Sequence, residues 1–255
     1  MNKRLVSVVG GTILLLVLTF AIILLRDNYL HEQEDLQLPS SISSYSDMGY
    51  YKIDPETILA SLESGDTNVF VPLPKDIQDV EEIAGISISW TQADFLKIAS
   101  ALGQFLWEDT MDLRDWNIYS VTFEGFCDNS TGLDYAEITY FKAGKKRYIT
   151  RVIAIHPYFG WVGWGSGETY PKPILQKWDS VDLLEARITA DEALRIASED
   201  AKERFHLKDK CGVLMGVPEN NDPKNWYLHV FGSPDSIVYI VNLETGDYTF
   251  QNRSK

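Results

Sequence analysis

The sequence predicts an α+β protein in which an N-terminal transmembrane helix is followed by two helix-plus-antiparallel-sheet units. Three observations carry that prediction. Residues 5–25 contain no charged side chain. The pattern T-x-x-acid-x-L-base-I-A occurs twice, as Thr91-Gln92-Ala93-Asp94-Phe95-Leu96-Lys97-Ile98-Ala99 and as Thr189-Ala190-Asp191-Glu192-Ala193-Leu194-Arg195-Ile196-Ala197. Three runs with strand character follow each copy.

As a helix, the apolar run at 5–25 spans ~31 Å, close to the hydrocarbon thickness of a bilayer. It is longer than the apolar region of a cleavable signal peptide and ends in Leu24-Leu25-Arg26-Asp27-Asn28 without a small-residue cleavage site. An uncleaved anchor is therefore expected. Lys3 and Arg4 precede it, whereas Asp27, Glu32, Glu34 and Asp35 follow. The positive-inside bias then puts the N-terminus in the cytoplasm and everything after about residue 27 outside it.

The 255 residues are 45% hydrophobic and 24% charged, the make-up of a folded protein with a substantial core. Net charge is −14, and Lys3, Arg4 and Arg26 all precede the first acidic residue, Asp27, so the outer part is more acidic still. Such a surface repels phosphate backbones, and no nucleic-acid partner is expected. The expected organisation is a cytoplasmic stub and anchor at 1–26 and a polar juxtamembrane linker at 27–50. A first α+β unit with an N-terminal extension then occupies 51–180, and a second unit occupies 181–255.

Within the extension, Asp54-Pro55-Glu56 predicts a short helix from Pro55 to about Leu62, ended near Gly65. Phe70-Val71-Pro72-Leu73-Pro74 must be extended, and a second short helix is expected around 76–84. In each repeated motif Thr is the capping residue, and the acid three positions on can reach back to it. The apolar stripes are Phe95, Ile98, Ala99, Leu102, Phe105 and Leu106 in the first helix and Ala193, Ile196, Ala197, Ala201 and Phe205 in the second. The strand runs are 116–124, 135–142 and 147–155, then 212–217, 226–231 and 237–243. Both third runs reach a turn with a glycine, Gly160 and Gly246. The threonines are 98 residues apart and these glycines 86, so about 12 residues of extra loop are expected in the first copy, with 128–132 as one place for them.

Thr189, Ala193, Ile196, Ala197, Trp226, Val230 and the run Val238-Tyr239-Ile240-Val241-Asn242-Leu243-Glu244-Thr245-Gly246-Asp247 resemble a PepSY-type domain. In that family a helix beginning T-x-x-E-A leads to strands ending in a V-D-x-x-T-G-E/D-V hairpin. The resemblance covers about residues 188–250. Asn242 stands where the family has Asp, and Tyr248 where it has a small aliphatic residue. The first copy departs further, with His156-Pro157-Tyr158-Phe159-Gly160-Trp161 at the turn. The resemblance implies a small non-catalytic extracytoplasmic module that inhibits or regulates a partner such as a peptidase, and it brings no catalytic residue.

Catalytic motifs are missing. Gly163-Trp164-Gly165-Ser166-Gly167 is not a nucleophile elbow, and His31-Glu32-Gln33-Glu34-Asp35 lacks the second histidine of a zincin helix. Two cysteines and four scattered histidines assemble no zinc cluster, so no metal and no cofactor are expected. The binding candidates are His156, Tyr158, Trp161, Trp164 and Tyr170, an aromatic run read as a loop that grips a partner protein or stacks on a glycan, the alternative being that its rings fold inward to plug the end of a small sheet. A hydrolase using a carboxylate pair and His156 is a third reading. Glu124, Asp128, Asp134 and Glu137 can meet near one loop, but no EF-hand spacing marks them as a calcium site. Cys127 and Cys211 are either a disulfide joining the two units or two unpaired thiols.

Overall fold

Thr91 opens a 16-residue helix as the motif predicts. In the computed structural model, α2 (Gln92–Trp107) starts with a complete capping box: the Thr91 hydroxyl accepts from the Asp94 N–H, and the Asp94 carboxylate accepts from the Thr91 N–H at 2.8 Å. The second copy keeps half of this device at α3 (Ala190–Phe205). There the Thr189 hydroxyl accepts from the Glu192 N–H at 3.4 Å, but the Glu192 carboxylate turns to Arg195 instead. The two helix starts also cap one another. Gln92 accepts from the Ala190 N–H at 2.8 Å, and Asp191 accepts from the Gln92 N–H at 3.1 Å. Donors that a helix start leaves unpaired are thus satisfied across the junction of the two copies.

The described residues are 45, 47–66, 68–74, 82–83, 86, 88–127, 132–143, 148–169, 181–205, 212–217, 222–230 and 236–253. The chain divides into two compact units, 1–38 and 39–255, and all described residues lie in the second. The expected anchor at 5–25 lies outside them, as does almost all of the short helix expected around 76–84. Among the described residues no helix is long and apolar enough to cross a membrane.

The fold is α+β, dominated by one ten-stranded antiparallel sheet. Its strands are β1 (Asp47–Lys52), β2 (Val71–Leu73), β3 (Asn117–Phe126), β4 (Leu133–Ala143), β5 (Tyr148–His156), β6 (Trp161–Thr169), β7 (Gly212–Val217), β8 (Asn225–Val230), β9 (Ser236–Asn242) and β10 (Tyr248–Arg253). Their order across the sheet is β10-β9-β8-β7-β3-β4-β5-β6-β1-β2. The succession α2-β3-β4-β5-β6 recurs as α3-β7-β8-β9-β10, and β3 and β7 pair edge to edge, Phe126 with Gly212 through Val121 with Val217.

Three sequence expectations change. Each copy has four strands, because β6 and β10 follow the turn glycines. Gly160 and Gly246 both take positive φ, 61° and 76°, the conformation glycine adopts without penalty. Residues 47–50, expected in the linker, begin β1, whose pairing with β6 extends the sheet past the first copy. The surplus of the first copy lies largely in strand length: β3, β4 and β5 have 10, 11 and 9 residues against 6, 6 and 7 in β7, β8 and β9. The helix predicted from Pro55 is α1 (Ile58–Glu63), preceded by a turn in which Asp54 accepts from the Glu56 N–H and the Thr57 hydroxyl.

Both long helices cover the same face of the sheet. Phe95, Ile98, Ala99 and Leu102 of α2 and Ala193, Ala197 and Ala201 of α3 are fully buried there, while Phe105 stays exposed. Rings run through this core across the junction, Phe95 to Phe123 at 5.9 Å and Phe123 to Trp226 at 6.0 Å. Each buried large side chain contributes about 1.5–3 kcal/mol. The opposite face carries a smaller cluster, in which Tyr45, Val152 and Ala154 are buried with Met48, Tyr50, Tyr135 and Trp161 packed against them. A Cβ at Gly165 would lie 2.8 Å from the Tyr45 ring, so that glycine is what lets the ring lie on the strand.

Candidate functional site

Residues in a strand alternate between faces, and this divides the aromatic run that the sequence groups together. The run is no loop: it is the end of β5, a turn, and β6. Trp161 and Trp164 are three apart in β6, so they point to opposite faces. Trp161 lies on the face opposite the long helices, which among the described residues is helix-free, 5.7 Å edge-on from Tyr50. Trp164 lies on the helix side against Trp107 at 5.7 Å, with its ring over Gly49, and its buried Nε1 has no hydrogen-bond partner. Tyr158, in the turn, packs against the main core with a buried and unpartnered hydroxyl. His156 closes β5 on the helix-free side. Tyr170 lies outside the described residues.

What the structure brings together is therefore a different set. His156 stacks 4.2 Å from Tyr135 of β4 and 4.4 Å from Trp161 of β6, giving a continuous row Tyr135, His156, Trp161, Tyr50 across four strands. Beside the row stand three carboxylates. Glu124 of β3 is the strand partner of Tyr135. Glu137 accepts from the Tyr135 hydroxyl at 3.2 Å. Asp134 occupies the irregularity where the register slips between Glu124 and Gly125, and its Oδ1 is buried without a partner. A bulge of this kind re-aims side chains and is the feature that adds Asp134 to the group.

The electrostatics follow from partial burial. Asp134 is pushed up to about 6, first by burial and then by the charge of Glu124. Burial also raises Glu124 and Glu137, the latter against the hydrogen bond from Tyr135. His156, enclosed by rings, is pushed down to about 4 and is neutral at physiological pH. Among the described residues no cation pairs with these lifted carboxylates. Elsewhere acids have one: Glu63 with Lys97, Asp109 with Arg151, Glu192 with Arg195, and Asp200 with Arg204.

The four acids grouped from sequence thus meet in part, since Glu124, Asp134 and Glu137 share this face and Asp128 lies outside the described residues. Among the described residues no three His, Cys, Asp or Glu side chains are arranged to hold a metal ion. Tyr135 and Tyr50 were not singled out from sequence. Alternation within each strand does not reveal them, because only the register of β4 on β5 and of β1 on β6 brings them to this row. Cys127 is buried and disulfide-bonded, and Cys211, the only other cysteine, lies outside the described residues.

No family model matches the chain, and no curated protein does. Among solved structures, the chain is similar to one described as a "putative lipoprotein" from Clostridium difficile 630. The two share 11% identity with a TM-score of 0.41, over 68% of this chain and 99% of that one.

Proposed function

We propose that the chain is a membrane-anchored, extracytoplasmic, non-catalytic binding module of two PepSY-like units, which docks a protein partner on the helix-free face of its sheet and regulates it. An envelope peptidase is the partner class the family resemblance suggests. The anchor and its orientation rest on the uncharged run at 5–25 and its flanking charges. The observation that carries the docking reading is the one-sided cover of the sheet among the described residues: both long helices pack on one face, while Tyr135, His156, Trp161 and Tyr50 line the other half-buried. Half-buried aromatic rings are the side chains that most often anchor a protein interface. The groups gathered here are suited to binding rather than turnover, since His156 is neutral and enclosed between two rings.

The same row favours a second reading, a glycan stacked on Trp161 with Glu137 as acceptor. Capture experiments with the full-length chain solubilised from membranes separate these. A protein partner retained by the wild type and by Lys97→Ala, on the helix side, but lost with Trp161→Ala is the expected result. Capture that survives Trp161→Ala and fails with Lys97→Ala would place the contact on the helices and overturn the reading. Quenching of tryptophan fluorescence by cell-wall glycans, abolished in Trp161→Ala, would favour the second one.

A further inference from the structure

An open sheet has two edges, and in this one they are built differently. Among the described residues the outermost strands are β2 and β10. β2 has three residues with Pro72 at its centre, a short edge whose proline offers no N–H to an incoming strand. β10 has six, Tyr248-Thr249-Phe250-Gln251-Asn252-Arg253, with neither proline nor glycine and no charge before Arg253. Nothing in that sequence blunts the edge.

The outward side of β10 has a definite parity. At the start of the β9–β10 ladder the Asn242 N–H donates to the Asp247 carbonyl at 2.9 Å, and hydrogen-bonded pairs recur at every second residue from there. Thr249 and Gln251 therefore turn their backbone groups to Ile240 and Val238 of β9, while Tyr248 and Phe250 turn theirs outward. Both rings are already held in place. The Tyr248 hydroxyl donates to Asp200 at 2.8 Å, and the Phe250 ring lies 5.5 Å from Phe205 and 5.8 Å from Tyr239. Yet they remain 40% and 36% exposed, so association covers apolar surface at little cost in rotamer freedom.

We propose that β10 is a self-association edge, to which a second copy of this chain adds its own β10 in antiparallel register about a two-fold axis at Thr249. Tyr248 then stands opposite Phe250 of the partner subunit, Thr249 opposite the partner's Thr249, and Gln251 opposite the partner's Asp247. The first pair exchanges backbone hydrogen bonds and the second is the closer, non-hydrogen-bonded kind; aromatic and Thr–Thr pairs are both favourable across strands. Arg253, the one charged residue of the strand, falls at the turn that carries Glu244 and Asp247 of the partner subunit. An edge that matches itself in ring, hydroxyl and charge fits a second copy better than a foreign strand. The chain already joins its own two units by such an antiparallel pairing, β3 with β7. An axis normal to the sheet keeps the helices of both copies on one side, so the face bearing Tyr135, His156, Trp161 and Tyr50 continues from one copy into the next. β10 and β1 lie toward opposite ends of the sheet, and the proposal is independent of the docking reading.

The test is sedimentation equilibrium of the full-length chain in detergent micelles, for the wild type, Thr249→Lys, Thr249→Glu and an equal mixture of the two variants. Thr249 is exposed, so neither substitution should lower the thermal midpoint. The wild type is expected to dimerise, and each variant alone to dimerise about fivefold more weakly, because like charges then face each other across the axis. Mixing the two variants should restore the affinity by setting opposite charges face to face. A monomeric wild type, a dimer that neither variant weakens, as association through the anchor alone gives, or a mixture no tighter than either variant by itself would overturn the proposal.

Discussion

Asp134 is the residue whose environment departs furthest from what its sequence neighbourhood suggests. It sits among apolar strand residues, lifted to about 6, beside a second carboxylate. In the unfolded chain it titrates near the ordinary value, so between about pH 3.8 and 6 the folded state binds the extra proton. Its ionised form thus costs stability above about pH 6, and that cost disappears as pH falls. His156 acts in the opposite sense. Its folded value near 4 lies below the unfolded one near 6.5, so its contribution is present above pH 6.5 and lost as pH falls toward 4. We expect Asp134→Asn to raise the stability of the protein at pH 7.5 and to lose that advantage by about pH 4. Urea unfolding at a series of pH values measures both effects, and an advantage that stays constant with pH would contradict the assignment.

At the scale of the element, α3 is tied to the end of the sheet by one carboxylate. Asp200 accepts from Arg204 one turn on, from the Tyr239 hydroxyl of β9 at 2.7 Å, and from the Tyr248 hydroxyl of β10 at 2.8 Å. Arg204 lowers it first among these partners, and the group sits at about 2. A depressed carboxylate stabilises the fold above its unfolded value and loses that contribution as pH falls from about 3.8 through 2. Asp200→Ala should cost about 1 kcal/mol at pH 7 by chemical denaturation, the ion pair being screened by solvent, and the difference from wild type should narrow in acid. A difference that persists at pH 2 would mean that the side chain acts by packing alone.

Elements also show how far the sequence was readable. The two capped helices and six of the ten strands were legible, because capping, helical stripes and strand runs are local signals. β6 and β10 were hidden for a local reason too. Trp161–Thr169 is rich in glycine, which reads as a loop, yet Gly165 and Gly167 make room for the Tyr45 ring, while Trp164 on the other face packs over Gly49 of the neighbouring β1. The candidate site was legible only by halves. His156, Trp161 and the acids were found, but Trp164 and Tyr158 were grouped with them by sequence distance, whereas the pleat sends Trp164 to the core. Tyr135 and Tyr50 join the row through pairings of β4 with β5 and of β1 with β6 that no local pattern encodes.

At the scale of the whole molecule, the two copies share one sheet and one core instead of standing as separate domains. The antiparallel pairing of β3 with β7 runs up to Phe126, immediately before the disulfide-bonded Cys127. With two cysteines in the chain, closing the loop of about 84 residues between them stabilises by roughly 4 kcal/mol in the loop-entropy account. Reduction should lower the thermal midpoint while leaving a single cooperative transition, because the Phe95, Phe123 and Trp226 rings and the reciprocal caps of Gln92 and Asp191 still join the copies. Two separate transitions on reduction would show that the disulfide alone couples them.

Such a sheet, helix-covered on one side, gives the molecule two chemically different faces, and the central claim is that the helix-free one meets the partner. The most direct measurement places a photo-crosslinking residue at Thr122 or Trp161 on that face, and at Lys97 or Arg195 on the helices, in the full-length chain in its native membrane. Adducts of one defined mass from Thr122 and Trp161, and none from Lys97 or Arg195, are the predicted result. The same adduct formed from the helix positions alone would contradict it.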